Sequence, residues 1–175
     1  MSEGMTEPAC DIYQAVFEVA DNVSFLEGIR EIADEHQTHI TFFDADRLAG
    51  RDHVEMALRH AWRSWTAGDP IANSIEMEAL LYAAGTRQCQ VAASFGIHPG
   101  MNRSYVAVCP PAPGARERLA SFVTFVDEDW EGIGPAKRSR LADLFDITPE
   151  EIQVVGVDRF RELVLERVAL LDVYR

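Results

Sequence analysis

The apolar positions change period several times along the chain, and each change marks an element. From Ile12 to Val19 the side chains alternate, with Tyr13, Ala15, Phe17 and Val19 on one face and Gln14 and Glu18 on the other. That two-residue period predicts a half-buried strand. Phe25, Ile29 and Ile32 then recur at helical spacing, which predicts a helix capped by Ser24 and ending near Glu35. Thr38 to Phe43 is rich in β-branched and aromatic residues and reads as a second strand. Between His53 and Trp65 the helical period returns, with Val54, Leu58, Ala61, Trp62 and Trp65 on the buried side and Arg59 and Arg63 sharing another face. Ser104–Cys109 is a third strand. Ala115 to Val126 begins helix-like and ends strand-like. A helix over Pro135–Phe145 follows. Thr148-Pro149-Glu150-Glu151 then spells a capping box in which Glu151 reaches back to the threonine, opening a short helix that ends at Gly156. Asp158 is placed to cap a closing helix that runs to Val173.

The stretch 61–97 organises the middle of the chain. Asp69 is a candidate N-cap with Pro70 in the first helical position, a helix runs from Ile71 to Ala84, and Gly85 stops it. Thr86 can cap a second helix, Arg87 to Phe95, ended by Gly96. So short a junction must turn sharply, and Arg87 and Gln88 are expected to be held in place there. The first of these helices is apolar over most of its surface, which predicts burial on more than one side. Glu78 lies on its Ile75–Tyr82 stripe and needs a partner, for which Arg87 or Arg59 is the expected choice.

These elements predict an α/β fold: one domain over 10–175, after a loose terminus at 1–9, with a small antiparallel or mixed sheet packed against about seven helices. A chain of 175 residues is long enough for a real core. The net charge of −13 argues against broad affinity for nucleic acid, DNA included. From Arg51 to Arg103, however, five arginines balance five carboxylates, so the negative charge resides in the flanks. Only that neutral middle offers an RNA-facing surface. Cys10, Cys89 and Cys109 show no metal-ligand spacing and are expected to be reduced, mostly buried thiols of a cytoplasmic protein. No apolar run is long enough for a membrane span.

Candidate chemistry is sparse. The chain has no phosphate-binding loop, nucleophile elbow, HExxH or glycine-rich nucleotide fingerprint. Asp44 and Asp46 form a DxD at a strand end, and His36 and His39 bracket a strand start. Neither pair has a third ligand nearby, so the first is read as a capping loop and no metal or cofactor is expected. Lys137, Arg138 and Arg140 make one helix start basic, which reads as an exposed turn. Trp62 and Trp65 read as core.

The run Ile71-Ala72-Asn73-Ser74, Glu76-Met77-Glu78, Leu81-Tyr82, Gly85-Thr86-Arg87-Gln88 and Phe95-Gly96-Ile97, in that order, resembles the KEOPS subunit that binds the kinase-like ATPase of that complex, the PRPK-binding protein family. Glu162 to Asp172 resembles the family's closing helix, and a looser likeness covers most of 11–173. The resemblance implies a non-catalytic subunit of a complex that installs threonylcarbamoyl on adenosine next to the anticodon. Such a subunit supports the ATPase and, in archaeal examples, captures tRNA by its single-stranded 3′ CCA end. Carried onto this chain, it makes Asn73, Arg87 and Gln88 the expected pocket residues. Sign and location add Arg59, Arg63 and Arg103 near phosphates, and the apolar closing helix adds Val164, Val168 and Leu171 as a partner-facing edge. The alternative is a scaffold for the ATPase with no RNA binding of its own.

Overall fold

The computed structural model describes residues 8–174. Most of the expected loose terminus, residues 1–7, lies outside that range. The fold is α/β: a four-stranded antiparallel sheet with eight α-helices among the described residues. Strands β1 (Asp11–Val19), β2 (His39–Asp44), β3 (Gly100–Cys109) and β4 (Thr124–Val126) lie in the order β2-β3-β1-β4. Ala15 faces Ser104 across β1 and β3, and Phe42 faces Val106 across β2 and β3. Strand β2 is therefore an edge.

Alternation along the strands splits the core into two layers. Phe17, Phe42, Val106 and Val108 pack under α1 (Asn22–Glu35) and α5 (Pro113–Leu119), against Phe25, Ile29, Ile32 and Leu119. Phe43, Tyr105 and Ala107 face the opposite way. They pack under α2 (Arg51–Thr66), α3 (Ile75–Ala84), α4 (Cys89–Ala93), α6 (Pro135–Leu144) and α8 (Phe160–Tyr174), with α7 (Pro149–Val155) beside them. No helix of the described residues is long and apolar enough to cross a membrane.

The helical and strand periods are where the pattern puts them, but several caps are not. Helix α1 is capped by Asp21, whose carboxylate accepts the Ser24 N–H at 3.1 Å, rather than by Ser24 itself. Helix α3 begins at Ile75, with Ser74 as N-cap, and not at Ile71. Thr148 accepts the Glu151 N–H as expected, but the Glu151 carboxylate binds Arg167 at 2.7 Å instead of reaching back. A 3-10 turn, Val157–Arg159, precedes α8, and Asp158 does not cap it. Trp62 and Trp65 are only half-buried.

Two cysteines correct the expectation of reduced thiols. Cys10 and Cys109 continue the β1–β3 register beyond Asp11 and Val108, with Cα atoms 4.4 Å apart, and are joined as a disulfide. Cys89 is free and exposed rather than buried. The pairing spans a sequence separation of 99, so spacing could not reveal it. Because the link closes a loop of that length in the unfolded chain, it is expected to contribute about 4 kcal/mol. Urea unfolding of Cys10→Ser should show that loss, and reductant should change the wild type but not the variant.

Candidate functional site

A cavity of about 490 Å³ runs along the free edge of β2. Thr38 to Phe42 form its floor. Leu26, Ile29, Arg30 and Ala33 of α1 form one wall, and Ser74, Glu76, Met77 and Leu80 form the other. Ala93, Gly96 and Ile97 close one end.

The walls are set by short-range chemistry that the central stretch encodes. Ser74 accepts the Met77 N–H at 3.2 Å and starts α3. Upstream of it, the fully buried Glu78 carboxylate gathers the chain. It accepts the Ile71 N–H at 2.9 Å, the Ala72 N–H at 2.7 Å and the Ser64 hydroxyl at 2.8 Å. Those bonds hold residues 71–72 off the helix, which is why α3 starts late. They also replace the arginine partner expected for Glu78. At the other end Gly85 takes φ +63°, and a Cβ there would stand 3.2 Å from the Arg167 carbonyl oxygen. Glycine is required by both conformation and space. Helix α4 then brings Phe95 back to the sheet, where its carbonyl accepts the Asp44 N–H at 2.7 Å. A Cβ on Gly96 would meet Ala93 O at 3.3 Å and Leu80 Cδ1 at 3.4 Å, so this end of the cavity is closed by Gly96 packed against the α4 backbone and the Leu80 side chain.

The rim is polar. His39 Nδ1 lies 2.8 Å from Glu76 Oε1, and the ring meets Trp62 edge-on. Arg30 is exposed on the α1 wall. Further from the cavity, His53 is buried under α3. Its Nδ1 accepts the Ala49 N–H at 2.9 Å and its Nε2–H donates to the Ala83 carbonyl at 2.8 Å. Burial pushes its pKa down to about 4, and the charge of Lys137 pushes the same way. His60, stacked on Tyr82, and Tyr82 itself both hydrogen-bond to Asp172, tying α2, α3 and α8 together.

The structure does not gather the residues expected from sequence into one pocket. Asn73 is exposed next to Ser74, at the start of α3. Arg87 and Gln88 are exposed beyond its far end, about 15 Å away by helical rise. Their side chains make no hydrogen bond or ion pair among the described residues, so they are not held in place as expected. Thr86 Oγ1 does accept the Gln88 backbone N–H at 3.1 Å. Arg59 borders a separate hollow with Cys10, Ile12 and Arg51, and Arg63 projects from α2 to solvent. Arg103 is engaged by Asp46 at 2.9 Å and lies over the Trp130 ring at 4.8 Å. None of the six lines the cavity. Val164, Val168 and Leu171 are corrected outright: all three are buried in the chain's own core. They are covered by this chain and present no partner-facing edge.

The Asp44–Asp46 loop is a cap, as read. Asp44 Oδ1 accepts the Asp46 N–H at 2.9 Å, and burial pushes the Asp44 carboxyl up. The α1 wall was missed. Its only trace in the sequence is Leu26, an apolar residue off the Phe25–Ile29–Ile32 stripe, which stays 42% exposed because it borders the cavity instead of the core.

No protein-family model matches the chain, and no curated protein matches it.

Proposed function

We propose that this chain is a non-catalytic subunit of a KEOPS-type tRNA-modification complex. It binds the kinase-like ATPase and receives the single-stranded CCA end of tRNA in the cavity along β2, in the cytoplasm. The observation that carries this reading is where the resembling residues fall. Ser74, Glu76, Met77, Gly96 and Ile97 belong to the run that resembles the family, and all five line the cavity.

The physics suits a tail. A single strand offers faces that apolar walls can cover and base edges that can be hydrogen-bonded, which a duplex does not. Covering a base face with apolar side chains contributes about 25 cal/mol per Å² buried, so a protein of net charge −13 can hold a short tail while gaining little from the tRNA body. Arg30 and His39 stand at the rim, where a backbone phosphate would pass, and Asn73 lies beside it. Arg87 and Gln88 then act outside the cavity, on the nucleotides that lead into it.

The test is a gel-shift titration at one fixed low salt, because phosphate contacts make affinity strongly salt-dependent. It compares intact tRNA with the same tRNA lacking its CCA end. Binding of the intact form alone is the expected result. If neither form binds, the RNA role fails, and the chain is a scaffold for the ATPase.

A further inference from the structure

We infer that the edge of β2 reads a nucleobase through its main chain, and that it selects bases carrying an exocyclic amino group beside an unprotonated ring nitrogen. This deepens, and rests on, the reading of the cavity as a site for a single-stranded RNA tail.

The direction of the backbone groups follows from two bonds. The Asp44 N–H points away from β3, because the Phe95 carbonyl takes it at 2.7 Å. The Thr38 N–H also points away, to the Ala33 carbonyl at 3.0 Å. In an antiparallel strand, successive residues alternate between facing the partner and facing out. Both bonds therefore set the same parity: Thr41 and Phe43 bond to β3, while Ile40 and Phe42 turn their N–H and C=O groups to the open edge. The Phe42 carbonyl oxygen lies 3.7 Å from the position a Cβ on Gly96 would take, which agrees. Among the described residues nothing bonds to these outward groups of Ile40 and Phe42. Both residues are buried and both line the cavity. Facing the cavity, these backbone groups are available to the hydrogen-bonding edge of a ligand.

That ligand is short. With Thr38 and Asp44 tied off, the open edge presents only Ile40 and Phe42, too little for an added strand of ordinary length. In chain order it offers the Ile40 carbonyl and then the Phe42 N–H: an acceptor beside a donor. Adenine matches this with its N6 amino group and N1, and cytosine with its N4 amino group and N3. Held in that same register and orientation, uracil and hypoxanthine put a carbonyl oxygen where the amino group stands and an N–H where the bare ring nitrogen stands, which sets acceptor against acceptor and donor against donor. The flanking walls suit a flat ring. Leu26, Ile29 and Ala33 lie on one side and Met77 and Leu80 on the other, so a base lying in the plane of the sheet has an aliphatic surface over each face.

The experiment titrates the full chain with four tRNAs at one low salt: the intact tail, the tail with inosine for its adenosine, the tail with uridine for both cytidines, and the trimmed molecule. The Phe42 amide resonance is followed in parallel. The inference expects at least one substituted tail to bind tenfold or more weaker than CCA, and the Phe42 amide to shift with CCA but not with that tail. Equal binding of CCA and both substituted tails, all tighter than the trimmed tRNA, overturns base selection while leaving the tail reading intact. A Phe42 amide that stays unmoved on CCA binding overturns the role of β2. No gain of CCA over trimmed tRNA overturns both.

Discussion

Glu78→Ala is expected to lower the stability of the chain by about 3 kcal/mol, since each donor left without an acceptor costs about 1–3 kcal/mol. Three donors depend on that carboxylate: the N–H groups of Ile71 and Ala72 and the Ser64 hydroxyl. Ala72 and Ser64 are buried and Ile71 is half-buried, and the Ser64 hydroxyl keeps the Ala61 carbonyl at 3.0 Å as a second acceptor, so the two N–H groups carry most of the loss. Glu78→Gln keeps the volume and one acceptor oxygen but turns an amide N–H₂ toward donors, so its cost should fall between the wild type and alanine. Urea unfolding measures both. A drop in midpoint at unchanged slope reports lost stability. A cost under about 1 kcal/mol for alanine would mean that the loop is held by something else. The variant should also loosen the cavity, because residues 71–74 lead directly into its α3 wall.

The second large effect is a loss of stability on mild acidification, driven by His53. Its two ring nitrogens are committed to Ala49 and Ala83, one as acceptor and one as donor, so the folded state holds the neutral imidazole. The folded pKa is depressed to about 4 from an ordinary 6.5. Between those values the unfolded chain binds the proton and the folded chain does not, so stability falls as pH falls. The contribution is fully present above about pH 6.5 and is lost progressively toward pH 4, amounting to about 3 kcal/mol over that window. Carboxylates add their own dependence at the acid end. The isolating measurement is therefore the difference between wild type and His53→Gln, each unfolded in urea at pH 7, 6 and 5. The wild type should lose more stability per pH unit than the variant. Parallel slopes would show that His53 does not titrate on unfolding.

Local rules carried far in the sequence, and long-range geometry decided the rest. The helical period of Val54, Leu58 and Ala61, the stop at Gly85 and the cap at Thr148 were legible because each depends on neighbours within a few residues. The start of α3 was not. Asp69 with Pro70 and Ser74 are both good caps by local chemistry, and the choice is made by Glu78, which draws the Ile71 and Ala72 N–H groups out of the helix. Cys10 and Cys109 meet through strand register, which spacing does not encode. Val164, Val168 and Leu171 look like an uncovered stripe in α8 until α2 and α3 are placed over them. The cavity was half legible: the run from Ile71 to Ile97 stood out in the sequence, and it supplies one wall and one end of the cavity, although the pocket residues expected within it do not line it. The floor and the other wall come from β2 and α1. Their part depends on β2 being an edge strand, and strand order is not written in any one segment.

The account turns on the cavity, and filling it is the most direct test. Ala93 is exposed, lines one end of the cavity and closes α4, so Ala93→Trp can occupy that space with little demand on the core. The measurement is the affinity ratio of intact to CCA-trimmed tRNA, taken at one low salt for wild type and variant. The account predicts a ratio well above one for wild type that collapses to about one in Ala93→Trp, with the unfolding midpoint unchanged. A wild-type ratio that survives in the stably folded variant would contradict it, and would place the RNA tail elsewhere on the chain.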